Sequence, residues 1–172
     1  MAGQLPLLAA IKQLMDEVMS GPSAGADYEG PLAAEHKLLA NAKKLSLFAA
    51  GAASQKYMQG LADQQEVMGA LADCIIEVYA MESSILRAEK LAANRGESAA
   101  KQAIALTQYY TAKAMQNVEL SARKVIATVA EGDMLRTQMA ILRRLAKYEP
   151  ADTIALGRQI ARHVLAAGRY SL

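Results

Sequence analysis

The stretch Val67–Ala88, which reads VMGALADCIIEVYAMESSILRA, decides the fold class of this chain. Its apolar residues recur at alternating intervals of four and three, which is the spacing of one face of an α-helix. The positions on this face are Val67, Leu71, Cys74, Val78, Met81, Ile85 and Ala88. The near-heptad pattern predicts a long amphipathic helix that packs along its length against other helices.

Two end signals and a second apolar flank complete this central helix. Asp63, with Glu66 three residues later, predicts an N-cap, and Asn94–Gly96 predicts a stop at a left-handed glycine. The second apolar flank consists of Met68, Ile75, Tyr79 and Leu86. This flank predicts that the helix contacts neighbours on two sides.

Helical spacing continues on both sides of the central helix. Pro31 opens a preceding helix that breaks at Gln59-Gly60, and Glu97 begins a following helix that runs to about Ala130. Two shorter helices follow: one starts at Asp133, predicted to be an acidic cap, and runs to about Lys147, and the other covers Ala151 to Gly168. The resulting prediction is one all-α domain over 1–172, an antiparallel bundle of five to six helices. Its parts are a leading helix at 1–19, a linker at 20–30, main bundle helices at 31–131 and C-terminal helices at 133–172. The linker is interpretable as a hinge between modules or as a surface loop.

Composition and charge exclude several classes of protein. Ala occurs 36 times in 172 residues while aromatic residues make up 5%, which favours closely packed helices over sheets. The 19 basic and 17 acidic side chains give a net charge of +2, too balanced to predict nucleic-acid binding. No stretch is long and apolar enough to predict a membrane span, and the first residues lack the basic start of a signal peptide. We therefore expect a cytoplasmic protein that touches membranes, if at all, from the surface.

The residues that usually carry chemistry are sparse. A di-iron bundle requires Glu three residues before each ligating His, but Ala33 precedes His36 and Ile160 precedes His163. Cys74 stands alone within the apolar stripe, where an inert buried thiol is expected. No phosphate loop or nucleophile motif is present. The sequence predicts no catalytic, cofactor-binding or metal-binding residue in this chain.

Acidic residues near the apolar stripe leave two interpretations open. Asp73, Glu77 and Glu82 either lie on solvated faces or join a polar network between the central helix and the following helix that fixes their register. On the following helix, Glu119 and Arg123 are spaced for an ion pair within the helix.

A basic group marks the helix that begins at Asp133. Arg136, Arg143, Arg144 and Lys147 alternate there with apolar residues. One interpretation is an amphipathic helix that contacts a membrane surface or a protein partner. The other is a terminal helix whose apolar side packs on its own bundle.

Several segments together resemble a known family. Gln59–Val67 and Ala72–Glu82 are similar to the Leu-Ala-Asp and Tyr-Ala-Met pattern of the C-terminal helical extension of very-long-chain-type acyl-CoA dehydrogenases. Gly132–Pro150 resembles the bacterial branch, and Gly3–Leu8 resembles the segment that follows the dehydrogenase core. The resemblance covers nearly the whole chain.

The resemblance implies a domain without a reaction centre. The family's FAD-dependent reaction converts a fatty acyl-CoA into a trans-2-enoyl-CoA in a core that precedes this extension, so FAD is implied for the parent enzyme and not for this chain. Glu131-Gly132 is followed by Asp133 rather than Thr, so the family's catalytic Glu is not assigned to it. The implied partners are the dehydrogenase core, a second subunit of a homo-oligomer and a peripheral membrane contact. A free-standing helical protein-interaction module is the alternative.

Overall fold

The structure is a computed structural model that describes residues 28–169, together with Ala9 and Gln13. The described part is helical, as predicted. Its elements are α1 (Ala33–Tyr57), a 3₁₀ helix (Met58–Asp63), α2 (Gln65–Arg95), α3 (Glu97–Val129), α4 (Gly132–Leu145) and α5 (Thr153–Ala167). The predicted leading helix at 1–19 and most of the linker at 20–30 lie outside the described residues.

Three long helices form the body of the bundle. α2 and α3 are joined through Gly96 alone, whose φ of +82° is a left-handed conformation that suits glycine. They run antiparallel, since the Cys74 Sγ donates to the Val118 carbonyl and the Thr107 hydroxyl donates to the Ser84 carbonyl. α1 lies antiparallel to α2 and packs against both α2 and α3. The predicted all-α helical bundle is confirmed in the described residues.

The core lies along the line where α1, α2 and α3 meet. Small and large apolar side chains alternate there, which lets the helices approach closely while leaving little empty space. Of the stripe predicted on α2, six positions are buried and Val78 is half-buried. The largest residues that are fully buried in the core are Leu32, Leu45, Met81, Ile85, Met115, Ile126 and Leu142.

The two C-terminal helices differ in how much of their surface is buried against the bundle. α4 buries Leu142 and Leu145 against the core. α5 packs on α3 without burying any residue fully. At its Gly157, an added Cβ would lie 3.5 Å from the Tyr109 ring, which is ordinary van der Waals contact. Asp152 caps α5 by accepting hydrogen bonds from the backbone N–H groups of Ile154 and Ala155, as the predicted start implies.

Two predicted caps are wrong. Asp63 is the last residue of the 3₁₀ helix, and Gln64 takes the N-cap position of α2 without a side-chain cap bond. The continued turn delays the start of α2, because Gln64 N–H donates to the Leu61 carbonyl in an i→i−3 bond. Asp133 lies inside the first turn of α4 rather than capping it, and Glu131 takes the N-cap position.

Candidate functional site: polar contacts and open faces of the bundle

Glu77 lies at the centre of a polar contact between α2 and α3. Its Oε2 accepts a hydrogen bond from the Tyr110 hydroxyl at 2.7 Å, and its Oε1 accepts one from the Asn117 Nδ2 at 2.7 Å. Burial, followed by the neighbouring carboxylate, raises the pKa of Tyr110 to about 12. The two bonds span about two turns of α3 and fix its register against α2, which confirms the network interpretation for Glu77.

α2 is also tied to α1 by two polar side-chain pairs. The Lys43 Nζ lies 2.7 Å from Glu82 Oε1, and the His36 Nε2 lies 2.6 Å from Glu89 Oε1. Glu82 therefore binds α1 and not α3, so the predicted network between α2 and α3 does not include it, and Asp73 is exposed. On α3 the Arg123 to Glu119 pair, at 2.6 Å, stays within the helix. The interpretation as helical ion pairs thus holds for Glu119 and Arg123, and of the three acidic residues on α2 Glu77 joins the predicted network with α3.

The predicted basic residues lie on the outside of the bundle. Arg136, Arg143 and Arg144 are exposed on α4, and Lys147 is exposed just after its end. Arg136 pairs with Asp133 at 2.8 Å between two highly exposed side chains. The apolar side of α4 packs on the core instead, so a membrane or partner would meet this basic group through charge rather than through an inserted apolar face.

Cys74 has the character of a structural thiol. It is 1% exposed, and burial raises its pKa to about 11. A thiol that remains protonated near neutral pH is a weak nucleophile. This agrees with the prediction of an inert buried residue.

Two clefts open between the helices. One of about 730 Å³ lies beside Gly96 between α2 and α3, and its walls carry Arg87, Lys90 and Arg95. The other, of about 620 Å³, lies between α1, α3 and the segment after α4, and Glu35 is part of its wall. Among the described residues, no three His, Cys, Asp or Glu side chains come together in a way that would hold a metal ion.

Glu35 is the most unusual polar side chain in these clefts. It is 8% exposed, its Oε2 has no hydrogen-bond partner among the described residues, and burial raises the pKa of its carboxyl above the usual range. Nothing in its sequence context marks it, because an acidic residue in the first turn of a helix is commonly exposed. The burial of Glu35 arises from how the helices pack and could not be predicted from the residues around it in the sequence.

The second apolar flank of α2 is not covered within the described residues. We call Met68, Ile75, Tyr79 and Leu86 the outer stripe; they are 42%, 65%, 73% and 57% exposed. The prediction that this flank contacts a neighbouring helix is therefore wrong for the described part of the chain. Ile76 beside it and Leu120 on α3 are also exposed. A contiguous apolar patch of this kind marks a surface for protein contact.

No helix among residues 28–169 combines the length and the apolar character needed to cross a bilayer.

Comparisons with known proteins agree with one another. Residues 41–144 match the family described as "Acyl-CoA dehydrogenase, C-terminal domain". A "Probable acyl-CoA dehydrogenase" from Bacillus subtilis (strain 168) is 34% identical over 174 residues, which cover 99% of this chain and 28% of that protein. A crystal structure of acyl-CoA dehydrogenase complexed with FAD from Bacillus anthracis is 36% identical and superposes with a TM-score of 0.91, covering 99% of this chain and 29% of that one. The chain spans less than a third of the length of both relatives.

Proposed function

Because this chain belongs to the acyl-CoA dehydrogenase family, we propose that it is the C-terminal helical domain of an FAD-dependent acyl-CoA dehydrogenase and does not perform the chemical step. The parent enzyme would oxidise a fatty acyl-CoA to the trans-2-enoyl-CoA in fatty-acid β-oxidation. The observation that carries the proposal is the extent of the match, which covers this chain from end to end but less than a third of each relative.

The described residues do not fit a flavin cofactor. An isoalloxazine ring needs a closed slot in which several polar groups meet its edge. The two clefts are open grooves between helices, and the backbone groups of helix interiors are already bonded within the helix. We therefore place FAD in the part of the parent enzyme that this chain does not contain.

The proposed role of the chain is to pack on the dehydrogenase core and to shape a homo-oligomer. Uncovered apolar side chains support such contacts on two elements, the outer stripe of α2 and Ile154 and Leu165 of α5. α5 buries no residue fully, so a partner surface would add to its stability. A free-standing interaction module would use the same faces, and the two roles differ in whether a dehydrogenase core binds.

Two experiments test the domain role. In the first, the purified chain is mixed with FAD and the visible spectrum is recorded after gel filtration. We expect no retained flavin and no oxidation of acyl-CoA with an artificial electron acceptor, whereas stoichiometric yellow flavin would refute the proposal. In the second, the chain is mixed with the Bacillus subtilis relative lacking its own matching segment. We expect a stable complex, and a failure to bind would favour the free-standing module.

We also propose that the basic group of α4 gives the domain a weak peripheral attraction to anionic surfaces, in a cytoplasmic protein. The support is the exposure of Arg136, Arg143, Arg144 and Lys147. Binding to vesicles rich in phosphatidylserine should be measurable at low salt and should fall steeply near physiological ionic strength, where the Debye length is about 8 Å. An absence of binding at low salt would remove this role.

A further inference from the structure

We propose that the cleft of about 730 Å³ beside Gly96 binds a small organic anion, whose phosphate or carboxylate group meets Arg87, Lys90 and Arg95 and whose apolar body lies along the floor of the cleft. The walls come from the C-terminal part of α2 and the N-terminal half of α3. The volume lies within the range of about 300–1,000 Å³ that is typical of small-molecule sites. The domain role assigns no ligand to this chain, so the inference goes beyond it.

The walls of this cleft carry positive charge without negative charge. Arg87, Lys90 and Arg95 line it, and among the described residues no Asp or Glu does. None of the three cations has an ion-pair partner in the part of the chain that the structure describes. The acidic residues nearest in sequence, Glu89 and Glu97, lie outside the walls, and Glu89 is already bound to α1. A concave surface with one sign of charge concentrates ions of the opposite sign.

The end of α2 accounts for only one of these cations. A basic residue in the last turn of a helix is stabilised by the partial negative charge of the helix C-terminus, which explains Arg95. Arg87 and Lys90 precede the last turn, where this effect has faded. Arg87 and Arg95 are about 12 Å apart along the helix axis, a distance that two long side chains can close around one head group. The arginine guanidinium suits phosphate and carboxylate groups, which it binds through two parallel hydrogen bonds.

The floor of the cleft is apolar. Ala88 and Ala103 are buried there, and Leu91 and Leu106 are half-buried. An apolar floor between cationic walls suits an organic anion better than an inorganic one. Three hydroxyl groups in the walls already donate hydrogen bonds within the chain, so the head group of a ligand would meet the cations instead. These hydroxyls belong to Ser84, Thr107 and Tyr110.

The second cleft, of about 620 Å³, lacks this selectivity. Its walls carry Lys37 and Lys147 but also Glu35 and Glu149, so it favours neither sign of charge. A protein partner fits the first cleft less well than a small anion does. Lysine is depleted from the middle of protein interfaces, and a concave groove between two helices accepts a small ligand more readily than a broad surface.

The first test measures binding to the 172-residue chain by isothermal titration calorimetry. The ligands are octyl phosphate and octanoate, both kept below the concentrations at which they form micelles. We expect one-to-one binding of at least one of them, and the tighter of the two identifies the head group. Inorganic phosphate lacks the apolar body and 1-octanol lacks the charge, so each should bind at least about tenfold more weakly.

The second test changes the walls of the cleft. Arg87→Glu and Arg95→Glu should each weaken binding of the octyl anion by about tenfold or more, because each replaces an attractive charge by a repulsive one. Arg158→Glu is the matched control: it makes the same change at an exposed arginine of α5 outside the cleft, and affinity should stay within about twofold at physiological salt. Arg87→Gln, which removes the charge without reversing it, should lie between Arg87→Glu and wild type. Far-UV circular dichroism verifies that each variant is folded.

The outcomes separate this inference from the proposed domain role. A chain that binds neither octyl anion overturns the inference, as does binding that Arg87→Glu and Arg158→Glu weaken equally. Equal affinity for inorganic phosphate would indicate an adventitious ion only, and equal affinity for octanol an apolar contact only; either result overturns it. If no soluble anion binds but Arg87→Glu weakens the complex with the Bacillus subtilis relative that lacks its matching segment, the cleft is a protein contact. The inference then fails while the domain role stands.

Discussion

Replacing Tyr110 by phenylalanine removes the hydroxyl that donates to Glu77 across the contact of α2 and α3. A hydrogen bond to a charged group contributes about 1.5–3 kcal/mol, and the partial exposure of this pair places it near the lower end. We expect Tyr110→Phe to lower the free energy of unfolding by about 1.5 kcal/mol at pH 7. Equilibrium urea unfolding followed by circular dichroism measures this difference.

The same pair predicts a loss of stability in alkaline solution. The pKa of Tyr110 is raised from 10.0 to about 12 in the folded chain, so the unfolded chain releases the proton first as the pH rises. The stability from this group is fully present below pH 10 and is lost as the pH rises toward the folded-state pKa of about 12. Between pH 10 and pH 11 the free energy of unfolding falls by the equivalent of one pKa unit, about 1.4 kcal/mol, before allowance for solvent screening. The advantage of wild type over Tyr110→Phe should therefore shrink to a few tenths of a kcal/mol at pH 11.

Tyr109→Phe provides the control, because it removes a hydroxyl from the adjacent residue of the same helix without touching Glu77. Its stability difference from wild type at pH 7 should be smaller than that of Tyr110→Phe, because no hydrogen bond to Glu77 is lost. If Tyr110→Phe is as stable as wild type at pH 7, or if its difference from wild type does not change up to pH 11, the coupling between Tyr110 and Glu77 is not what joins these helices.

Four further changes probe other parts of the bundle. Glu35→Gln should stabilise the chain by about 1 kcal/mol at pH 7, because it removes the cost of a buried carboxylate whose pKa is raised; the gain should vanish as the pH falls below 4.5, and urea unfolding at several pH values measures it. Leu45→Ala, at a side chain that is 0% exposed, should cost about 2–5 kcal/mol in the same assay, and a cost below that range would mean that the core collapses around the gap. Gly96→Ala should cost about 1–3 kcal/mol through backbone strain alone, since no described atom lies near the added methyl and a φ of 82° with a ψ of 156° is adopted almost only by glycine, so substitution by Asn should be tolerated no better. Asp152→Ala should cost about 1 kcal/mol, and hydrogen exchange should show the loss confined to α5 rather than spread over α1 to α3.

Periodicity alone predicted the elements that carry the core. The stripe on α2 was assignable because burial on one side of a helix imposes intervals of three and four on the sequence. Gly96 was also identifiable as the end of α2, since a positive φ at a helix end favours glycine. These features depend on neighbours close in the chain, and local sequence therefore determines them.

The features that the sequence did not predict depend on distant parts of the fold. An apolar flank shows that a partner is needed but not which chain supplies it, so the exposure of Tyr79 was not foreseen. The partner of Glu77 lies 33 residues away at Tyr110, and no local rule selects it. The burial of Glu35 likewise follows from how α1 meets α3 and the segment after α4. The start of α2 was misplaced at Asp63 because a 3₁₀ turn with similar sequence preferences precedes the helix.

The direct junction of α2 and α3 at Gly96 also has a consequence for the order of folding. The first contacts across this junction join residues that are near in sequence, such as Ser84 and Thr107 at a separation of 23, and later ones extend to Cys74 and Val118 at a separation of 44. Each new contact closes only a slightly longer loop than the one before it, so little chain entropy is lost at any single step. We expect the α2–α3 hairpin to form first, outward from Gly96, and α1 to dock onto it afterwards. Substitutions beside Gly96 should then slow folding, whereas substitutions in α1 should mainly speed unfolding.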